Sequence, residues 1–485
     1  MGTLLKIFCS AIFFLCASNS VFAAESVKIN LTDAINLALK NNRAIEQSAE
    51  DREAARWHLS AARRSAGLHF SWSSSTSRIG GRMYNGLRES RYIFKGMSDE
   101  ERDYRGYRLW QFPKYLSENT NNLELTFPLY SGGRLEGLRE AAEYNLHSAD
   151  LILENTRQEI KWRTAQAYFQ VLQYNDLINV RQEEMNNLAE HLETVQIQYE
   201  VGTVAMSDVL ATNVQLANSR QAYNSAQANY ENAVSTLNDL IGLPVDTNLV
   251  INDELKYQPY ENDEEFCLEY ALSHRPDGIA ATYAVKSSEA SVSQARSGNR
   301  PNLTAVVSGG ISGEGAFKAD HSNGQEHWSA GVQMSWSIFD NNVTSAQVKQ
   351  AKAEQRKAES QAKQQLETIR LEVHNAYTNL RIAEQNIKIT ATAIGQAHEQ
   401  YLIAKVRYEE GVDTNLNVMD AQEKLTQART NYYDALYFYN MSRAQLEKAM
   451  GMPIELDAAI YAAAVESGNA GKYSIKALEA AKVGE

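Results

Sequence analysis

Tyr199-Glu200-Val201-Gly202 returns as Tyr408-Glu409-Glu410-Gly411, 209 positions later. The offset holds on both sides without a gap. Downstream it pairs Val209 with Val418, Leu216 with Leu425, Arg220 with Arg429, Tyr223 with Tyr432, Tyr230 with Tyr439, and Gly242-Leu243-Pro244 with Gly451-Met452-Pro453. Upstream it pairs Ala167-Tyr168 with Ala376-Tyr377, and Phe127-Pro128-Leu129-Tyr130 with Trp336-Ser337-Ile338-Phe339. A register kept this long marks a tandem duplication, so each copy is one structural unit. Near the start of each copy the offset widens to 233, matching Ala38-Leu39 with Ala271-Leu272. The first copy therefore carries 24 residues, the difference between 233 and 209, that the second lacks. They fall between about Gly67 and Asn122, where seven arginines (78, 82, 88, 91, 102, 105 and 108) mix with Tyr84, Tyr92, Tyr104 and Tyr107. A loop absorbs such growth cheaply, because closure entropy rises slowly with length.

Each copy then changes period in the same order. From Leu31 to about Ala66 the spacing predicts a helix, with Thr32 as N-cap and Ala34, Leu37, Ala38 and Ile45 on one face. Alternation follows: Trp328, Ala330, Val332, Met334, Trp336 and Ile338 interleave with Ser329, Gly331, Gln333, Ser335 and Ser337. In the first copy Leu123, Leu125 and Phe127 interleave with Glu124 and Thr126. Period two predicts strands with one apolar and one polar face. After Ser131-Gly132-Gly133, and its counterpart Asp340-Asn341-Asn342, a proline-free stretch of about 68 residues runs to Gly202 or Gly411. As one helix it would be on the order of 100 Å long. Ala142, Leu146, Ala149 and Leu153 step by four, three and four, which is coiled-coil spacing. A return helix from about Ala205 to Ile241 ends at Gly242 and Pro244. The helices before the strands and after the Gly202 turn sum to roughly one long helix at the same rise per residue, so two stacked short helices can lie beside one long one.

Composition narrows the function. Lys6, the apolar run Ile7 to Ala17 and Val21-Phe22-Ala23 have the pattern of a removable secretory signal over residues 1–23, and the run is too short to span a bilayer. Cys9 and Cys16 would leave with it, so Cys267 would be the only cysteine of the mature chain. A net charge of −13 with no basic face disfavours a nucleic-acid partner. His321 and His327 with Glu326 suggest a metal site only superficially, since no third ligand stands at a recognisable spacing. There is no Gly-rich phosphate loop and no nucleophile elbow. The expectation is no enzyme, no metal and no cofactor.

Strand edges in a secreted chain must be paired or buried, and four strands cannot close a barrel alone. If the apolar faces meet lipid, the strands form a closed barrel, and three chains supply twelve of them. The lipid face would then comprise Trp328, Val332, Met334, Trp336 and Ile338 with Leu123, Leu125 and Phe127. Trp328 and Trp336 are either anchors at the membrane edge or ordinary lipid-facing residues.

The order helix, β-hairpin, long helix, return helix, given twice, resembles the TolC family of outer-membrane efflux and secretion proteins. So do Leu31-Thr32-Asp33-Ala34-Ile35 with Ala38-Leu39-Lys40-Asn41-Asn42, Phe127-Pro128-Leu129-Tyr130-Ser131-Gly132-Gly133, and both Tyr-Glu-x-Gly turns, followed by Asp208-Val209-Leu210 or Asn417-Val418-Met419-Asp420. The resemblance implies a mainly α chain with a small β part that trimerises into a 12-stranded outer-membrane barrel on a long α-helical coiled-coil periplasmic tunnel. It implies an exit duct for a tripartite efflux pump or type I secretion system, with a periplasmic adaptor and an inner-membrane pump of RND, ABC or MFS type as partners. The expected domains are a first repeat at 24–244 with an insertion at about 77–122, a linking equatorial segment at 245–263, a second repeat at 264–453 and a tail at 454–485. The resemblance places Gly202 and Gly411 at the periplasmic tip, where the adaptor docks. It makes Asp420 a pore-ring aspartate with Asn417 at the other ring position, Tyr408 the lock tyrosine and Asp208 a tip aspartate. Asp413 stands where the family has the lock arginine, and Asp208 with Asp413 would repel. The bland alternative is a set of solvated polar residues at a helix start. A periplasmic coiled-coil adaptor also has long helical hairpins but lacks the duplicated amphipathic strands, and a secreted cell-wall enzyme would need an acid/base or metal constellation.

Overall fold

The computed structural model describes residues 27–80, 115–314 and 325–452. The expected signal segment, most of the first-copy insertion, His321 and the tail at 454–485 lie outside them. The described chain runs β1 (Val27–Lys28), α1 (Leu31–Asn41), α2 (Arg43–Arg64), β2 (His69–Gly80), β3 (Tyr115–Tyr130), α3 (Arg134–Val201) and α4 (Met206–Ile241). The second copy repeats the order with β4 (Leu249–Val250), α5 (Glu264–His274), α6 (Pro276–Arg296), β5 (Asn302–Glu314), β6 (Gln325–Ser335), α7 (Val343–Glu409) and α8 (Asn415–Met450). The fold is mainly α with a small β part, as the periodicity predicts.

Four details differ from the sequence reading. The first helix is capped by Asn30, whose Oδ1 accepts the Asp33 N–H at 2.8 Å, and Thr32 lies inside it. The expected single helix from Leu31 to Ala66 breaks at Asn42, which is extended at φ −72°, ψ 129°. There Asn42 caps α2 by accepting the Ala44 N–H at 2.9 Å. Arg275 makes the same break in the second copy, at φ −66°, ψ 123°, ahead of Pro276 in the first turn of α6. The strand expected through Ile338 stops at Ser335, which pairs with Asn302. The next partner, Pro301, has no N–H to donate to the ladder. Trp336 therefore leaves the sheet and donates its Nε1–H to the Asn299 carbonyl at 3.2 Å. Last, β2 and β3 take in both ends of the expected 77–122 insertion, since Gly80 pairs with Tyr115.

The chain gathers into two compact bodies that cut across the duplication. Within the described residues, one takes the chain up to Glu53, His147–Thr282 and everything from Ser360, and the other takes Ala54–Leu146 and Tyr283–Glu359. The first holds the main core, in which Tyr168, Leu237, Ile369, Leu380, Tyr439 and Leu446 are fully buried. Truncating a buried leucine such as Leu380 to alanine in such a core costs about 2–5 kcal/mol.

The second body holds an antiparallel sheet in the order β2-β3-β5-β6, so the β3–β5 pair joins the two copies. Its register sorts the side chains by face. Phe70, Leu125, Val307 and Ala330 stand in one cross-strand line, and Trp72, Leu123, Gly309 and Trp328 in the next. Phe127, Ala305 and Val332 continue the same face. The other face carries Ser71, Glu124, Ser308 and Ser329, with the two serine hydroxyls 2.8 Å apart. The apolar lines from Leu303 to Gly309 span roughly 20 Å at about 3.4 Å per residue, somewhat less than the ~25 Å apolar band of an outer-membrane barrel, and the next line, Ser74, Asn121, Ile311 and Glu326, is polar except for Ile311. Trp328 is 82 % exposed, and Val332 and Met334 are exposed beside it. The apolar face is uncovered among the described residues. Glu326 and His327 are consecutive in β6 and point to opposite faces, so they cannot share an ion from this strand.

Candidate functional site

Helix α3 ends at Val201 and α7 at Glu409, and each chain reverses through a left-handed glycine, Gly202 at φ 85° and Gly411 at φ 74°. The Gly202 N–H donates to the Tyr199 carbonyl and the Thr203 N–H to that of Gln198, both at 2.9 Å. Gly411 and Val412 donate to Tyr408 and Arg407 at 3.0 and 2.9 Å. These paired bonds are the Schellman motif, which satisfies the last carbonyls of a helix. A Cβ added at either glycine would meet nothing within 4 Å, so backbone conformation and not crowding selects glycine here.

Behind the turns four helix ends share one apolar cluster. Leu188, Leu192 and Val195 of α3 meet Val209 and Leu216 of α4, Tyr401, Ala404 and Tyr408 of α7, and Val418, Ala421 and Leu425 of α8. Tyr408 is 3 % exposed, and its ring meets that of His191 edge-on at 5.0 Å. Burial, with the negative charge of Asp208 second, pushes the Tyr408 phenol up from its ordinary range. Its hydroxyl has no partner among the described residues.

A polar thread crosses this cluster. Asn415 Oδ1 lies 2.7 Å from His191 Nε2, and Asn415 Nδ2 donates to the Asp208 carbonyl at 3.2 Å and to Thr212 Oγ1 at 3.0 Å. The Thr212 hydroxyl donates in turn to the Asp208 carbonyl at 2.8 Å. Three helices, α3, α4 and α8, are thereby tied through one amide. Sequence reasoning missed His191, Thr212 and Asn415 because a search for matching residues skips positions where the copies differ. The available signal was helical spacing: His191 stands between Leu188 and Val195 on the buried face of α3.

The charged positions sit around this core. Asp413 is engaged within its own turn, accepting from Thr414 N at 2.8 Å and Asn417 Nδ2 at 2.5 Å, with Arg407 Nε 3.4 Å away. Asn417 first, then the Thr414 N–H and Arg407, hold its carboxyl below the usual carboxylate range. Arg407 thus places a cation beside Asp413. Asp420 faces Lys424 at 2.6 Å on an exposed side of α8. Lys405 bridges α7 to Glu190 of α3 at 2.9 Å.

The outer membrane efflux protein family model matches residues 34–243 and 267–452, one span in each copy. The chain belongs to the outer membrane efflux protein family. Among its relatives, the outer membrane protein TolC of Vibrio cholerae is 26 % identical over 334 residues, covering 66 % of this chain and 73 % of that one. The alkaline protease secretion protein AprF of Pseudomonas aeruginosa is 22 % identical over 447 residues, covering 92 % and 89 %. The Campylobacter jejuni CmeC outer membrane channel shares the fold at a TM-score of 0.70 and 20 % identity, covering 90 % of this chain and 88 % of that one. As a family member the chain is an outer-membrane channel protein that serves as an exit duct for efflux or secretion. The glycine turns are the ends of its two helical hairpins.

Proposed function

We propose that three copies close their sheets, β6 of one against β2 of the next, into a twelve-stranded barrel, and that their helices form a periplasmic tunnel gated at the Gly202 and Gly411 turns. The observation that carries this reading is the four-stranded sheet with an exposed apolar face and, among the described residues, two open edges, in a chain that also makes helices of 68 and 67 residues. Open edges demand partners, and a closed barrel is what hydrocarbon permits. The conduit is passive. Energy comes from an inner-membrane pump of RND, ABC or MFS type, reached through a periplasmic adaptor. Exposed Val201 and Val412 beside the two glycines, with Leu210 and Leu416 just beyond, support adaptor docking there. Asp420, with Asn417 one turn before it, is the proposed pore ring, and Tyr408, Asp208 and Asp413 belong to the packing that keeps the tip closed.

The test is assembly and conductance. The purified protein should migrate as a heat-labile trimer of unheated gel mobility distinct from the monomer, fractionate with the outer membrane and conduct ions in planar bilayers. A stable monomer that forms no ion-conducting pore would sink the proposal.

A further inference from the structure

His191 is 4 % exposed on the buried face of α3, yet it is bonded to a residue of another helical hairpin. The partner's orientation is fixed by the network. Asn415 has one amide atom 3.2 Å from the Asp208 carbonyl oxygen, which only accepts, so that atom is the NH2 nitrogen. The other is the oxygen, so His191 Nε2 carries the proton it shares at 2.7 Å and Nδ1 holds a lone pair. Asn415 opens α8, and its amide bonds α4 through Asp208 and Thr212, so the imidazole is bonded to the same amide that ties the first turn of α8 to α4.

We propose that His191 is a positioning residue of the tip: it holds Asn415, and through it α8 against α4, and because the closed tip buries the ring away from water, a proton added at Nδ1 biases the tip towards opening, although the Nε2–H bond to Asn415 survives in the cation. This rests on the tip being the gate, as proposed above. The groups facing the ring decide the direction. From α7 come Lys405, whose positive charge opposes a second cation, Glu409, whose negative charge favours it, and the neutral Tyr408. Lys405 is itself paired with Glu190 of α3. From α4 comes Asp208, whose carbonyl meets Asn415 and whose carboxylate acts on Tyr408, while from α8 Asn415 Oδ1 accepts from Nε2–H and favours the cation, second in weight to burial. Burial outweighs the rest and holds the His191 pKa below its ordinary value. An opened tip returns the ring to water, where it titrates near 6.5. The depressed pKa belongs to the closed state, so closure is fully supported above about pH 6.5 and weakens as pH falls below it, by up to about tenfold per pH unit for each protomer. A satisfied core histidine with no positioning role would give no such profile in the gate.

The experiment compares the trimeric channel and its His191→Gln variant, which keeps an N–H donor and cannot titrate, between pH 7.5 and 5.5. Two readouts are taken: bilayer conductance, and hydrogen exchange at the start of α8, corrected for the intrinsic pH dependence of exchange. The unmodified channel should gain conductance and lose protection at the first helix-bonded amides of α8, residues 418–421, severalfold on acidification, while His191→Gln stays flat in both. If the glutamine variant does not assemble, His191→Phe keeps a ring against Tyr408 and should be equally flat. Exchange that responds while conductance does not would support the role of His191 and overturn the gate reading. A variant that keeps the unmodified pH dependence of exchange would overturn the inference.

Discussion

Asn42 donates its Nδ2 to the Leu240 carbonyl at 3.1 Å, and Arg275, its counterpart in the second copy, donates Nη1 to the Ala449 carbonyl at 3.3 Å. Leu240 and Ala449 correspond in turn, 209 positions apart. Two unlike residues thus satisfy the same helix end, each from an extended break between two helices. They should not be equal in weight. Arg275 is 7 % exposed and also binds Asp277 at 2.6 Å and Glu372 at 2.5 Å, whereas Asn42 adds only the Ala44 N–H. Its carboxylate partners are partly solvated, which lowers the ion-pair loss to the small end of the range. Arg275→Ala should destabilise the assembled protein by about 2–3 kcal/mol and Asn42→Ala by about 1 kcal/mol, read from urea midpoints at fixed protomer concentration. Equal losses would show that the charge network contributes nothing beyond the helix cap.

Those breaks also show where sequence reading stops. The long helices, the glycine turns and the strand faces were legible because each rests on a repeated local pattern: a period, a left-handed glycine, an alternation. The break at Asn42 was not, since asparagine is tolerated inside a helix and its role depends on the carbonyl of Leu240, some 200 residues away. The same limit applied at the tip. Gly202 and Gly411 were visible as turns, whereas His191 and Asn415 belong to a contact between hairpins that no local spacing encodes. Arg407 as the partner of Asp413 was missed for a different reason, because the motif comparison looked for an arginine at position 413 itself.

Asp176 on α3 offers a pH test remote from the tip. Burial, with repulsion from Glu254 second, raises its carboxyl to about 6. The folded state therefore binds a proton more tightly than the unfolded chain, whose aspartate titrates near 3.9. This contribution costs stability at pH 7, and the cost fades as pH falls through 6 towards 4. Asp176→Asn should accordingly raise the denaturation midpoint at pH 7.5 and lose that advantage near pH 4. An advantage of the same size at both pH values would mean the carboxyl titrates normally.

Gly80 and Tyr115 are cross-strand partners, so the ends of the segment at 81–114 already stand at hairpin distance. A two-residue Asn-Gly loop suits that geometry, because its left-handed dihedrals match the twist of the strands. Replacing 81–114 by Asn-Gly should leave trimer assembly and outer-membrane insertion intact, judged by fractionation and unheated gel mobility. Loss of the protein from the outer membrane would show that the segment contributes to the barrel itself.

The proposed pore ring can be tested by removing either member of its ion pair. Lys424 lies 2.6 Å from Asp420 one turn along α8, and both side chains are about half exposed, at 55 % and 51 %. Asn417, at the other ring position, is occupied by Asp413. Each protomer therefore presents a carboxylate partly countered by its own lysine, and threefold symmetry would sum three such pairs around one axis. A countered ring is weakly cation-selective. Lys424→Gln uncovers the carboxylates and should raise cation preference and divalent block, while Asp420→Ala should lower both, leaving assembly unchanged. Exposed charges are screened within about 10 Å at 0.1 M salt and about 3 Å at 1 M. The opposite shifts in reversal potential should thus be clear in dilute KCl and nearly absent in concentrated KCl. If neither variant moves the reversal potential even in dilute salt, Asp420 lies away from the constriction and is a solvated position on α8.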